Sequence, residues 1–246
     1  MKNFISKSEK VQHIIKSFNL TKTLFVSSII IGEKHTGKKT LAKYLFPDAV
    51  VVSGVNQEEV ILALESYDEI IIVDFEKLTN TSLLDFNNKR IIAIANYMGN
   101  ASAIDELFAF IYIMPPLRER PEDIAYLKTL FIEESCATLM LQKEEIHLEN
   151  ISLDLSMNSK SLKKSIFLAL SKFAMNHTDI QDILYHYLLE HLDGNDAYSQ
   201  YLELYEKPLI EAGLAKYGSQ LQLSKILGIN RNTLRKKIHE HNINSF

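Results

Sequence analysis

The stretch SSIIIGEKHTGKKTLAKYLF, residues 27–46, decides the fold. It opens on a run of Ile, short enough for a strand. It passes through Gly32-x4-Gly37-Lys38 and continues with the apolar spacing of a helix. Strand, glycine loop and helix in that order form the context of a phosphate-cradling loop. In such a loop the backbone N–H groups and the helix N-terminus face the anion, with Lys38 reaching the outer phosphates. The candidate nucleotide residues are therefore Gly32, Glu33, Thr36, Gly37, Lys38, Lys39 and Thr40. Lys39 stands where such loops usually carry a magnesium-holding Ser or Thr. The competing reading of the same stretch is a lysine-rich surface turn.

Working outward, further apolar runs occur at 49–53, 69–73, 90–95 and 109–113. Nearly continuous Ile and Val content suits strands covered on both faces, and the segments between them, with residues 11–18 and 38–46, carry helical spacing. Residues 1–120 thus read as an α/β domain with a parallel sheet. After Pro115-Pro116 the pattern turns helical, opening at Pro121 with Glu122 and Asp123 in the first turn. The spacing predicts a helical segment over 121–177, a helical linker over 178–197 and an all-α domain over 198–246. Pro208 falls inside the last helical pattern, so a kink or break is expected near 207.

The chain has 246 residues, 46% of them apolar, and a net charge of -4. That size accommodates one large domain or two to three small ones. Its single cysteine, Cys136, excludes an internal disulfide framework. No apolar run approaches the roughly 20 residues that span a bilayer, and the opening MKNFISKSEK lacks a signal-peptide core. No membrane partner and a cytoplasmic location are expected. The charge is uneven: residues 206–246 hold seven Lys or Arg against three Glu, a balance of +4, and the rest carries -8. An acidic body with a basic tail points to the tail as the part that meets a polyanion.

That tail, SQLQLSKILGINRNTLRKKIHEHNI over 219–243, reads as a helix-turn-helix. Leu223, Ile226 and Leu227 are expected to line one face of a short helix, stopped by a left-handed Gly228. Ile229 lies under the turn, and Leu234 with Ile238 forms the inner stripe of a second helix. Asn230, Arg231, Asn232, Thr233, Arg235 and Lys236 remain at its front or outer face, where a major-groove helix contacts bases and phosphates. The alternative is a helical hairpin with a solvated basic face.

Residues 206–243, most plainly GINRNTLRKK, resemble the C-terminal DNA-binding domain of the Fis family. The family's Asn-Gln-Thr-Arg-Ala-Ala is here Ser219–Ser224, which in part replaces polar residues that would touch phosphate. The resemblance implies double-stranded DNA as partner and a homodimer formed through helices at 198–217.

Residues 4–175 resemble the AAA+ domain of bacterial enhancer-binding proteins, the NtrC-type activators of sigma-54 polymerase. The landmarks are GEKHTGKKTLA (32–42), IIIVDF (70–75), RIIAIAN (90–96) and MPPLRERPEDI (114–124), with FISKSE (4–9) similar to the family's opening segment. The resemblance implies ATP or ADP as ligand. Asp74 would be the Walker B carboxylate that organises Mg, Asn96 the sensor I residue, 121–177 the helical lid and Lys160 within it the occupant of the sensor II position.

Three departures bear on activity. Phe75 stands where the catalytic Glu should follow Asp74, and Glu76, the one catalytic candidate, comes a position late and needs a bulge to reach. The places of the arginine fingers hold Asn100 and Glu106. About 35 residues separate the two Walker motifs, without the GAFTGA loop that engages sigma-54. The expectation is a DNA-binding transcriptional regulator that holds nucleotide, turns it over weakly or not at all, and makes no sigma-54 contact. Two alternatives stand beside it: an active ATPase using Glu76 with a partner's arginine, and a protein-interaction module that binds no DNA.

Overall fold

A computed structural model describes residues 4–21, 24–142 and 152–243. The chain divides into two compact units, Met1–Met175 and Asn176–Phe246.

The first unit is built on five parallel strands, β1 (Ser28–Ile31), β2 (Val50–Ser53), β3 (Glu69–Val73), β4 (Arg90–Ala95) and β5 (Phe110–Ile113). All five lie where the apolar runs place them, trimmed by at most a residue. Their spatial order is β2-β3-β4-β1-β5. The central strand β1 sets Ser28 beside Ile92 of β4 and Phe110 of β5.

The two-residue period of a strand sends alternate side chains to opposite faces. Ile29, Ile31, Ile70, Ile72 and Ile91 face the helices α3 (Gln57–Ser66) and α4 (Ala101–Leu107). Ile30, Ile71, Ile92 and Ile94 face α1 (Glu9–Thr21) and α2 (Lys38–Leu45). Each isoleucine sealed this way contributes about 1.5–3 kcal/mol, which is why these strands read as continuous apolar runs rather than alternating ones. The region between α2 and β3 holds only β2 and α3.

The helical part of this unit is α5 (Pro121–Leu139) and α6 (Ser159–Ala174), joined by a core of Leu117, Phe131, Ile132, Leu162, Ile166 and Leu170.

The second unit is α-helical throughout its described residues: α7 (His177–His191), α8 (Ala197–Tyr217), α9 (Gln220–Ile226) and α10 (Arg231–Glu240). Its core is Ile210, Leu223, Leu234, Ile238 and Ile243. Two expectations are narrowed. Of the kink or break expected near 207, no break occurs: helix α8 runs through Pro208. A proline removes one N–H, and the carbonyl it orphans belongs to Leu204, a residue exposed to water that can replace the bond. Ile226 is 51% exposed and leaves the face of α9 to Leu223 and Leu227.

Candidate functional site

The carboxyl ends of β1, β3 and β4 converge on one cavity of about 540 Å³, where the sheet order reverses around β1. Open parallel sheets bind ligands at such a place. Its lining includes Gly37, Lys38, Lys39, Thr40, Asp74 and Asn96. Gly32 opens the loop because nothing larger fits: an added Cβ would lie 2.5 Å from the Met114 carbonyl oxygen. Gly37 caps α2 with φ at 98°, a left-handed conformation that glycine adopts without strain.

Lys38 is the buried cation of the site. Its Nζ donates to the carbonyls of Gly32 and Glu33, both at 2.6 Å, and approaches Asn96 Oδ1 at 3.4 Å. Burial lowers its pKa from 10.5 to about 8, against the pull of the Glu76, Asp74 and Glu33 charges.

Glu33 and Thr36 have a different task from the rest of the loop. Both Glu33 carboxylate oxygens are held by Arg118, at 2.6 and 2.9 Å, and Asn158 Nδ2 donates to one of them at 3.1 Å. These bonds, that of Arg118 foremost, hold the Glu33 carboxyl below its usual range. Thr36 is buried, and its Oγ1 donates back to the Glu33 carbonyl at 2.9 Å. They brace the loop, and neither lines this cavity, although Thr36 lines the second one described below.

The bulge that Glu76 needs is present. Asp74 adopts a left-handed conformation, φ 53°, a region that Asp tolerates better than most residues. A single 3-10 turn over Phe75–Lys77 follows. Phe75 is thereby driven into the core, its ring 5.0 Å from that of Phe108. Glu76 swings back: its carboxylate accepts from Asn96 Nδ2 at 2.6 Å and from the Asn96 backbone N–H at 3.2 Å. Asn96 Nδ2 also donates to Asp74 at 3.0 Å. Asp74, Asn96 and the buried Lys38 ammonium thus meet at the cavity, with the Glu76 carboxylate held behind Asn96. A magnesium ion fits this set, since it is commonly held by one or two carboxylates plus phosphate oxygens.

Lys160 is not part of it. That side chain is exposed, and its neighbour Ser159 lines the cavity instead. The first turn of α6 is fixed to the loop by Ser159, whose N–H and Oγ both donate to the His35 carbonyl, at 3.2 and 2.7 Å. That contact turns the next residue outward.

Asn158 and the segment 114–124 carry contacts that motif reading alone left unassigned. Asn158 is buried, accepts from Leu117 N–H at 2.7 Å and donates to the Lys34 carbonyl at 2.9 Å. Buried Arg120 donates to the Thr36 carbonyl at 2.9 Å and pairs with Asp123 at 3.3 Å. Asp123 in turn accepts from Ser6 Oγ and Lys7 N–H, each at 2.6 Å. A second cavity, about 220 Å³, lies between this opening segment, α5 and α6. Phe4, Tyr126 and Leu130 line it, and it shares Gly37, Thr40 and Ser159 with the first.

In the second unit, Gly228 takes φ 65° and the Ile229 N–H donates to the Ser224 carbonyl, setting the turn. A Cβ on Gly213 would lie 2.3 Å from Leu223 Cδ1, so α8 and α9 cross there on glycine. Asn230 caps α10: its side chain accepts from the Asn232 N–H at 2.9 Å. Arg231, Asn232, Thr233, Arg235 and Lys236 are all exposed over the buried Leu234 and Ile238. A groove of about 750 Å³ runs along α10, lined by Arg231, Asn232 and Arg235 together with Gln220, His239 and Asn242. The sequence reading omitted these last three. The four-residue spacing from Arg231 through Arg235 to His239 was the available signal.

Among the described residues, no helix is long and apolar enough to cross a membrane. None of their His, Cys, Asp and Glu side chains form a group of three or more placed to hold a metal.

Residues 201–241 match the family model of the bacterial regulatory proteins of the Fis family. A DNA-binding transcriptional regulator, NtrC of Azospirillum brasilense, is 44% identical over 61 residues, which span 23% of this chain and 13% of that relative. Among solved structures, NtrX of Brucella abortus superposes with a TM-score of 0.55 at 15% identity, covering 97% of this chain and 69% of that one. The same protein in complex with ATP gives 0.51 at 12% identity, covering 99% and 70%. The chain therefore shares the fold of NtrX, with a parallel five-stranded sheet unit, and its helical tail matches the Fis-family model over residues 201–241.

Proposed function

We propose that this chain is a DNA-binding transcriptional regulator in which the loop at 32–38 holds ATP or ADP and α10 is the recognition helix. The observation that carries it is the division of α10 into a buried apolar stripe and an outward basic face. Arg231, Asn232, Thr233, Arg235 and Lys236 would contact DNA, and Asn230 would set the helix start.

The nucleotide's phosphates would lie on the N–H groups of 37–40 with Lys38 and Lys39. Asp74 would hold Mg, Asn96 would sense the outer phosphate, and the base would enter the cavity beside Phe4 and Tyr126. The chemistry Mg would supply there is positive charge that offsets the phosphates, with Asp74 as its protein ligand. With only β2 and α3 between α2 and β3, we assign no polymerase-remodelling role and no sigma-54 contact. A dimer formed through 198–217 would present two recognition helices to a pseudo-palindromic site.

The test is fluorescence anisotropy on duplex DNA at two salt concentrations, with and without ATP. Tight binding that weakens steeply with salt is expected, because phosphate contacts release counterions. Binding that is absent, or indifferent to salt, overturns the reading.

One observation favours a second reading, an ATPase. Glu76, though a position late, reaches Asn96 beside Lys38, where a carboxylate can orient an attacking water. ATP turnover that disappears in both Lys38→Ala and Glu76→Gln is the expected result. Turnover unchanged in Glu76→Gln removes Glu76 from the chemistry.

A further inference from the structure

One polar cluster in the second unit has no part in the DNA contacts assigned above. Glu206, midway along α8, has both carboxylate oxygens engaged by α10 and the residue beyond it. Lys237 Nζ donates to Oε1, and His241 Nε2 lies 3.1 Å from Oε2. Lys237 is 28% exposed, whereas its neighbour Lys236 is 77% exposed. One cation is spent inside the unit and the other is offered to solvent.

The helical wheel shows what is withheld. With about 100° between successive residues, Leu234 and Ile238 mark the buried side of α10, and Asn232 and Lys236 lie opposite. Arg235 and Lys237 fall on opposite flanks. Arg231, Arg235 and His239 line the groove on the first flank. On the second, Lys237 is the matching cation, and Glu206 neutralises it. A helix seated in a major groove has a phosphate strand along each flank, so α10 offers its flanking charge to one strand alone.

We infer that Glu206 is a specificity-determining residue: by holding Lys237 and His241 it denies the recognition helix a sequence-independent phosphate contact and fixes which flank of α10 meets the DNA. This rests on the DNA-binding reading. Its mechanism is withdrawal of charge, since a phosphate contact adds affinity for every sequence alike.

The experiment uses the 246-residue chain and two probes: a random-sequence duplex pool, and a duplex enriched from that pool by the wild-type chain. Glu206→Ala is expected to bind the unselected pool more tightly. Its plot of log affinity against log salt should steepen by about 0.9, the increment for one more phosphate contact. Preference for the enriched duplex should fall. Adding Lys237→Met should restore slope and preference, and Glu206→Asp, which keeps the carboxylate, should move both less than Glu206→Ala. An ion pair with a purely structural role would lower the melting temperature and weaken both duplexes in proportion, with the slope unchanged, and that result overturns the inference. Failure of the DNA reading itself is seen earlier, as a wild-type chain that enriches no duplex and binds the pool without salt dependence, and it takes the inference with it.

Discussion

The sharpest test of the bulge at Asp74 is an attempt to repair the motif by Phe75→Glu, which places an acid directly after the Walker B position. If the strand continued straight, this change would restore a working carboxylate. In the structure position 75 points the other way: Phe75 is 5% exposed, packed edge-on to Phe108 in the core beneath the sheet. Truncating a phenylalanine so buried costs about 3–5 kcal/mol. A carboxylate there adds the desolvation of an unpaired charge, several kcal/mol more. Domains of this kind have only about 5–15 kcal/mol to lose. Phe75→Glu should therefore leave the α/β unit unfolded or close to it, Phe75→Ala should lower its stability by about 3–5 kcal/mol, and Phe75→Leu should be the mildest. Denaturant titration followed by far-UV circular dichroism measures all three, beside ATP turnover for any variant that folds. A folded Phe75→Glu with an unchanged midpoint and increased turnover would refute the placement of residues 74–76.

Lys38 carries a pH prediction. Folded, it holds its proton below about pH 8, against 10.5 for the ordinary amine. Between those values the unfolded chain binds the extra proton, so this group's contribution to stability rises with pH across the window. A bound phosphate recharges the amine, so ATP binding near pH 9 should draw up to about one proton from solvent and weaken as pH climbs. Calorimetry in two buffers of different ionisation enthalpy checks this, with Lys38→Met expected to take up none. Gly213→Ala should destabilise the second unit, because crowding against Leu223 costs about 1–3 kcal/mol and better helix propensity returns roughly 1; an unchanged melting temperature would mean that Leu223 has room to turn. Asn158→Ala should cost at least about 1–3 kcal/mol by leaving the Leu117 N–H unpaired and should loosen the loop at 34–36, read as faster amide exchange there.

The sheet was legible because burial on both faces leaves a plain trace, runs of Ile and Val bounded by polar residues. The loop was legible because Gly32, Gly37 and Lys38 each answer a backbone or charge requirement that few other residues meet. Glu76 was harder to place. Its position depends on one left-handed residue, Asp74, and on the ring of Phe75 preferring the core, and neither leaves a periodic signal. Lys160 and Ser159 show the same limit: which of two adjacent residues faces a cavity is set by the hydrogen bonds at His35. At Pro208, propensity speaks for one lost bond, whereas a long helix with an exposed carbonyl tolerates it without a break. Residues 114–124 were recognisable as a motif, but their physical work, bracing Glu33, Thr36 and the opening segment, exists only once the chain is folded.

The placement of β1 bears on the order in which the chain acquires structure. Residues 50–95 can form β2, β3 and β4 from near neighbours in sequence, each pairing with the next. Strand β1 is made first but pairs only with β4 and β5, and Ser6 bonds to Asp123 across 117 residues. Closing loops of that length is slow compared with pairing neighbours. On the ribosome, β1 must then wait, with its row of isoleucines unpaired, until β4 has emerged at residue 95, and its other edge stays open until β5 has emerged at residue 113. An unpaired apolar strand is a site for association, so chaperone dependence during synthesis should centre on residues 27–31.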